Sequence, residues 1–335
     1  MTLTVRAHHD PGLRARVVRS LPLRYADGAD PSLDRPAHVR SASALAWVDG
    51  ALAVLQDDAH FLALADPGTG LCRAVTLPAG AGGVRQFDDL RGNKHLKLDL
   101  EACTCVPDGH GGELLVAFGS GSLPRREAIL VVREPAGAEP RVAVHEARGF
   151  YAALRAAGAF SGSELNLEGA AYHDGRIVLL NRGNGAPAAG VEGADAVCSV
   201  PWAALREHLH APGDHPAPVP GAVVRYALGT LGHQRLTFTD AVQAGEMLVF
   251  TAAAEDSPNA VDDGPVAGSA VGWIAADGAA RLTVLRGADG APVPHKVEGV
   301  APGPLPGTLY LCTDPDDPRE PSRLLEVEMS GEWPL

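Results

Sequence analysis

The chain has 335 residues, 46% hydrophobic and 21% charged, enough for one large domain or two ordinary ones with ample core. Its net charge of −13 argues against a nucleic-acid binder, which would need a basic stripe to displace counterions, whereas an acidic surface tolerates bound cations. No run approaches ~18 apolar residues, and MTLTVRAHHDPGLRARVV lacks the apolar core of a signal peptide, so a soluble, cytoplasmic protein with no membrane segment is expected.

Gly (39) and Pro (27) are plentiful, aromatics are only 5%, and the apolar runs are short and rich in Val, Leu and Ala, which predicts a turn-rich all-β chain. In chain order, RARVVRSLPLRY (14–25) is the first strand-like run. SALAWVDGALAVLQDD begins at Ser43, with HFLALAD and CRAVTL behind it. LEACTCVPDGHGGELLVAFGSGS surrounds Glu101 and is followed by AILVVRE and RVAVHEA. GFYAALRAAGAF (149–160) reads as a helix and leads into ELNLEGAAYHDGRIVLLNRGNG (164–185) around Glu168. A second helix, WAALREHL (202–209), precedes TDAVQAGEMLVFTAAAEDS around Asp240, with AVGWIAAD and RLTVLRG after it. VEGVAPGPLPGTLYLCTDPDD around Glu298 and RLLEVEMSG complete the chain. Both helices read as insertions between repeating units.

Five of these segments share one plan: a polar residue, a short apolar strand, a Gly-containing turn, a second apolar strand and a polar tail. They recur roughly 58 to 72 residues apart, the size of a four-stranded propeller blade. The expectation is an all-β, five-bladed β-propeller forming a single domain over 1–335. A six-bladed version is the alternative, because the wrap-around unit and the 168–240 unit are the longest. Two stacked β domains would require the repeat to change character, which it does not. The last unit shows only three strands, and residues 14–25 are expected to supply the fourth, closing the ring and removing an exposed edge. The cysteines, Cys72, Cys103, Cys105, Cys198 and Cys312, are odd in number and sit in strand-like runs. They read as buried, reduced thiols, with Cys103 and Cys105 on one face of one strand.

In a propeller the innermost strand of each blade lines the central tunnel, so Ser43, Glu101, Glu168, Asp240 and Glu298 should converge in a ring. Four are carboxylates, and at about 5 Å with an effective dielectric near 20 each adjacent pair repels by roughly 3 kcal/mol. Such a ring is held by a cation, by protonation or by several basic side chains. The all-oxygen donor set suits a hard cation, with calcium favoured over zinc. The bland alternative is that the acids only cap strand mouths.

The polar tails form a second set at the same end. They comprise Gln56, Asp57 and Asp58; Gly119, Ser120, Ser122, Arg125 and Arg126; Asn181, Arg182 and Asn184; Glu255 and Asp256; and Asp314, Asp316 and Asp317. Lys94, Lys97 and Lys296 lie just upstream of ring members. This mixture of acids, cations and small residues suits a phosphate- or polyol-binding pocket around a metal. The 314–320 loop reads equally as a second calcium site or a plain acidic loop. His173 and His295 are candidate proton carriers. No nucleophile elbow, Walker loop, dinucleotide fingerprint or zinc motif is present.

SALAWVDGALAVLQDD, NLEGAAYHDGRIVLLNR and HKVEGV resemble the blade starts of the calcium-activated nucleotidases, the soluble apyrases. More loosely, they are similar to bacterial phytase-like and esterase-like propeller proteins. The resemblance implies one axial calcium held by Ser43, Glu101, Glu168, Asp240 and Glu298, with Asp57 and Asp58 as the acidic pair after the first hairpin. Asp240 departs from the Ser that family would place there, and Arg182-Gly183 stands where paired arginines are expected.

Two functions follow from this reading. The first is a calcium-dependent hydrolase of phosphate esters or anhydrides. There the metal polarises a phosphoryl oxygen, Arg182, Lys296 and Lys97 neutralise developing charge, and Asp57 or Asp58 orients water. The alternative is a non-catalytic propeller with a structural calcium that binds a small ligand or a partner protein. A lactonase or glycosidase on the same scaffold is a third reading. The sequence carries no signal for oligomeric state.

Overall fold

The computed structural model describes residues 3–262 and 264–333. Alternating apolar runs broken by Gly- and Asp-containing turns produce antiparallel meanders, and each meander is one four-stranded sheet. The first runs through Ala42–Val48, Ala51–Gln56, Phe61–Ala65 and Leu71–Thr76. The second runs through Leu100–Pro107, Glu113–Gly119, Ala128–Arg133 and Arg141–Glu146. The third is Leu167–His173, Arg176–Asn181, Asp195–Pro201 and Val224–Ala227. The fourth is Gln234–Ala244, Met247–Glu255, Val266–Ile274 and Ala280–Arg286. The fifth is Lys296–Pro302, Thr308–Asp314 and Arg323–Ser330, completed by Arg14–Pro22.

The first strand of each meander packs against the first strand of the next, and the fifth returns to the first. Each gap between neighbouring sheets holds its own apolar cluster. Leu55 and Leu62 meet Leu115 and Leu130 between the first and second sheets, and Phe118 and Ile129 meet Leu167 and Leu179 between the second and third. Leu180 meets Phe238 and Phe250, Val249 and Val271 meet Leu311 and Val327, and Tyr310 and Leu324 meet Val54 and Phe61 in the remaining gaps. The architecture is all-β and propeller-like.

The N-terminal segment closes the fifth sheet as expected, Arg14–Pro22 pairing antiparallel with Arg323–Ser330. It also does more. Leu3–Arg6 adds parallel to the outer strand of the third sheet, His8–His9 to that of the fourth, and Arg24–Tyr25 to that of the first. The expected helix over 149–160 lies between the second and third sheets but breaks at Ala157 into Arg148–Ala156 and Gly158–Ser161. The other helix, Trp202–His210, is not between units: it sits inside the third, connecting its third and fourth strands. All five cysteines are free; Cys103 is buried, whereas Cys105 is half-buried. Among the described residues, no helix is long and apolar enough to cross a membrane.

Because Arg14–Pro22 supplies a whole strand, removing residues 3–22 should expose the edge of Arg323–Ser330 and the apolar cluster beneath Ala15. A fall of more than about 10 °C in the thermal midpoint by circular dichroism is expected. An unchanged midpoint would show that this closure is dispensable.

Candidate functional site

The inner strands share an irregularity that creates the site. Each carries a bulge near its entry, and a bulge leaves one residue out of the ladder and re-aims its side chain. The residue passed over is Ser43 in the first sheet, Glu101 in the second, Glu168 in the third and Glu298 in the fifth. These four sequence-predicted residues line one cavity of about 340 Å³.

Asp240 is the correction. Its partner across the ladder is Thr251, and the residue passed over in the fourth sheet is Thr239. Ser43 and Thr239 then behave alike. Ser43 Oγ donates to the carbonyl of Leu100, just before Glu101, at 2.7 Å; Thr239 Oγ1 donates to the carbonyl of Val297, just before Glu298, also at 2.7 Å. Asp240 occupies the position after the bulge, which elsewhere holds Ala44, Ala102, Gly169 and Gly299. A Cβ on Gly299 would lie 2.9 Å from backbone atoms of Ala44 and Leu45, so the inner strands meet there without side chains. The Asp240 side chain is fully buried, accepts a bond from Val300 N at 2.8 Å and is absent from the cavity lining. Burial holds its carboxyl well above the ordinary range, despite backbone donors including Val300.

Around the bulge residues, cations are interleaved with acids. Lys97 bridges Asp57 and Asp99, the latter at 2.6 Å, and Arg126 pairs with Asp99 at 2.8 Å. Arg182 reaches Glu168 at 3.4 Å and pairs closely with Glu255. Lys296 pairs with Glu298 at 2.8 Å and with Glu255 at 3.7 Å. Arg40 holds Asp58 at 2.5 Å and Asp88 at 3.0 Å. One carboxylate oxygen each from Asp57, Asp99 and Glu101 lie within 4.8 Å of one another.

Burial dominates the electrostatics. Glu168 is pushed up to about 7 and Glu298 to about 8 by desolvation, which outweighs Arg182 and Lys296 in both cases. Glu101 is raised well above its usual range by desolvation, then by the charges of Asp57, Asp99 and Glu168. Desolvation and the Asp57 charge bring Asp58 to about 6. Asp99 runs the other way, its burial cost overcome by Lys97 and Arg126. Asp99 also adopts a left-handed backbone (φ 57°), a conformation that non-glycine residues favour only under constraint.

The candidate catalytic residues Asp57, Asp58, Arg182 and Lys296 all line the cavity, as do Lys94, Lys97, Arg126, Asn184, Asp314, Asp316 and Asp317. Several other tail residues are structural. Gln56 bonds the Tyr25 hydroxyl and the Phe61 carbonyl, and Asn181 donates to Ala194 O. His173 is misplaced: it ends the strand that Glu168 begins, about 17 Å away at the strand rise, and faces Asp174. His295 does not line the cavity either; its carbonyl accepts from Ser269 Oγ.

Sequence reasoning missed Thr239, Asp99, Asn166, Arg40 and Asp88. Thr239 carries no local signal: the residue after its bulge is Asp240 rather than Ala or Gly, so aligning either the carboxylates or the small residues selects Asp240. Asp99 precedes the strand in a left-handed conformation, so strand alternation could not place it. Asn166, two residues before Glu168, donates to Glu168 Oε1 at 2.7 Å. The Arg40–Asp58–Asp88 cluster spans distant segments and has no local signature.

Asp240→Asn separates the buried acid from the cavity acids. A raised carboxyl pKa stabilises the fold at low pH and that contribution is lost as pH rises. Asp240→Asn should therefore match the parent only below the ordinary value of 3.8 but exceed its thermal midpoint near about pH 9. An unchanged midpoint at about pH 9 would show that burial does not hold Asp240 protonated.

No curated protein matches the chain. Among solved structures, it is similar to Myxococcus xanthus glutaminyl cyclase at 12% identity, covering 99% of each chain with a TM-score of 0.47. It is also similar to an exo-1,5-alpha-L-arabinanase from a bovine ruminal metagenomic library, at 10% identity over 87% of this chain and 92% of that one, with a TM-score of 0.38. A third is the Neurospora crassa Pan2 WD40 domain, at 8% identity over 86% and 74% of the chains, with a TM-score of 0.33. Residues 38–329 match a described family, and the chain belongs to it: the Family of unknown function (DUF6929).

Proposed function

We propose that the chain is a five-bladed β-propeller whose axial cavity binds a hard divalent cation, calcium by its all-oxygen donor set, and that the loaded cavity takes an oxygen-rich anion such as a phosphate ester. One observation carries this reading: buried carboxylate oxygens converge on the cavity without donors. Asp57 Oδ1, Asp58 Oδ1 and Glu298 Oε2 have no hydrogen-bond partner, beside the close trio of Asp57, Asp99 and Glu101. Unpaired buried acceptors are costly, and a hard cation satisfies them. Glu101, Glu168, Glu298, Ser43 and Asp57 are the proposed ligand set. This set keeps the ring expected from the apyrase-like resemblance only in part: four of its five positions remain, and Asp57 replaces Asp240, which lies outside the cavity.

A bound calcium supplies neutralisation of the acids and polarisation of a phosphoryl oxygen. Lys97, paired with Asp57 and Asp99, would share those carboxylates with a cation held there and could turn its ammonium to an anionic ligand. Asp57 and Asp58, with one oxygen each free of donors, are the groups to orient water. A second, non-catalytic reading is favoured by one feature: Arg182 and Lys296, the proposed phosphate neutralisers, are both already paired with Glu255.

Thermal unfolding of chelated protein with and without calcium, alongside phosphate release from ATP, UDP and phytate, tests the proposal. A ligand that binds only the folded state raises the midpoint. A calcium shift with phosphate release supports the hydrolase; a shift without it favours the non-catalytic site; no shift ends the cation reading. Glu168→Gln should weaken the calcium shift sharply, because it removes one charge from the shared site.

The cation response should also depend on pH. Glu168 and Glu298, at about 7 and about 8 against an ordinary 4.5, stabilise the metal-free fold at low pH, and that contribution is lost as pH rises through those values. Cation binding requires the deprotonated forms. The calcium-induced rise in midpoint should therefore grow between about pH 6 and pH 9. A shift independent of pH would mean that these glutamates are not ligands.

A further inference from the structure

The N-terminal segment adds a strand to three sheets, completes a fourth and leaves one out. It adds a parallel strand to the outer edge of the third, fourth and first sheets, and it is itself the outer strand of the fifth. The outer strand of the second sheet, Arg141–Glu146, pairs only with Ala128–Arg133, and no strand among the described residues takes its other side. Its residues are exposed or half-buried, with Val144 37% exposed.

Beside this edge lies a second cavity of about 270 Å³, between the sheet face and the helix Trp202–His210. Its floor is apolar, formed by Leu114, Val131, Trp202 and Leu209. Every charged or titratable side chain in its lining is basic, namely Arg133, Arg141, Arg206, His145 and His210, in a chain of net charge −13. Arg141 pairs with Glu134 at 2.7 Å, but both are well exposed and such a pair contributes little. No ion pair of Arg133 or Arg206 is present among the described residues.

We infer that the Arg141–Glu146 edge accepts an extended acidic segment of a partner protein as a fifth strand. Its backbone pairs along the edge, and alternate acidic or apolar side chains enter the basic cavity. Strand addition needs an open edge for main-chain bonds and a pocket for alternate side chains, and both are here. The chain already makes such an addition, in parallel, on three of its other sheets. A second copy is the poorer occupant. Twofold edge-to-edge pairing keeps the same sheet face up, so it would set Arg133, Arg141 and His145 of one chain beside the same residues of the other.

The probe is a fluorescein-labelled peptide of alternating Asp and Val, about ten residues long, with a Lys–Val counterpart as control. The full chain should bind the acidic peptide by fluorescence anisotropy and not the basic one. Hydrogen exchange should slow at alternate amides within 141–146. Arg133→Glu with Arg206→Glu should weaken binding at least about tenfold. Arg206→Gln, which preserves size and helix propensity, should act in the same direction should the double variant fail to fold. No binding at about 1 mM, equal binding of the Lys–Val peptide, slowed exchange elsewhere, or unchanged affinity in a folded variant would each overturn the proposal. So would a dimer that protects the same edge without peptide.

Discussion

The structure is organised around one electrostatic constraint: carboxylates of like charge are buried where five inner strands converge. Isolated buried charge is costly enough that the surroundings must neutralise it, pair it or raise its pKa. All three responses are present. Asp99 stays ionised because Lys97 and Arg126 flank it, whereas Glu101, Glu168 and Glu298 are raised because desolvation outweighs their partners. The bulges decide which residues face this problem. An unbulged strand would keep each acid in its ladder register; the bulges instead deliver Ser43, Glu101, Glu168 and Glu298, from four of the five sheets, to a common cavity.

The same geometry explains the residue beneath the ring. After each bulge the inner strands approach so closely that only Ala or Gly fits, as the contacts of a Cβ on Gly299 show. The single larger residue at that level is Asp240, and it occupies the space the small residues leave, bonded to the backbone of Val300. Its acidity is a property of packing: a short polar side chain able to accept backbone N–H groups where no water enters. That is different work from the cavity acids.

The blade pattern was legible because it rests on local signals. Alternating apolar runs, turn glycines and a recurring polar residue each act within a few positions, so the meanders and four of the five bulge residues could be read from residue types alone. Closure by residues 14–25 was legible for a related reason, since the last unit lacked a strand and only that run remained. What the sequence hid depends on register or distance. Asp240 and Thr239 differ by one position, and a one-residue slip moves a side chain to the other face. Arg40 with Asp58 and Asp88, or Arg182 with Glu255, are partners brought together by the ring, so composition near each residue gives no hint of its mate. The short parallel additions at Leu3–Arg6 and His8–His9 bury little apolar surface, and their sequences carry no strand pattern strong enough to announce them.

The ion pairs also fall into two arcs, which bears on why a cation would belong here. Lys97 joins the first and second sheets through Asp57 and Asp99, while Arg182 and Lys296 join the third, fourth and fifth through their shared Glu255. At the seam between the second and third sheets, Glu101 and Glu168 instead oppose each other, and the charge of Glu168 helps to raise Glu101. The backbone bond from Leu167 N to Ser120 O, at 2.8 Å, crosses that seam but neutralises nothing. Protonation relieves the repulsion only below the raised pKa values, and it leaves the arcs unconnected. A further lysine would relieve one acid at the expense of volume in the cavity. A divalent ion relieves several at once from a single small centre, because multiple carboxylate oxygens can share it. On this argument the cation would do for the cavity what Arg14–Pro22 does for the outer edge: complete a ring that the chain's own side chains leave in two pieces.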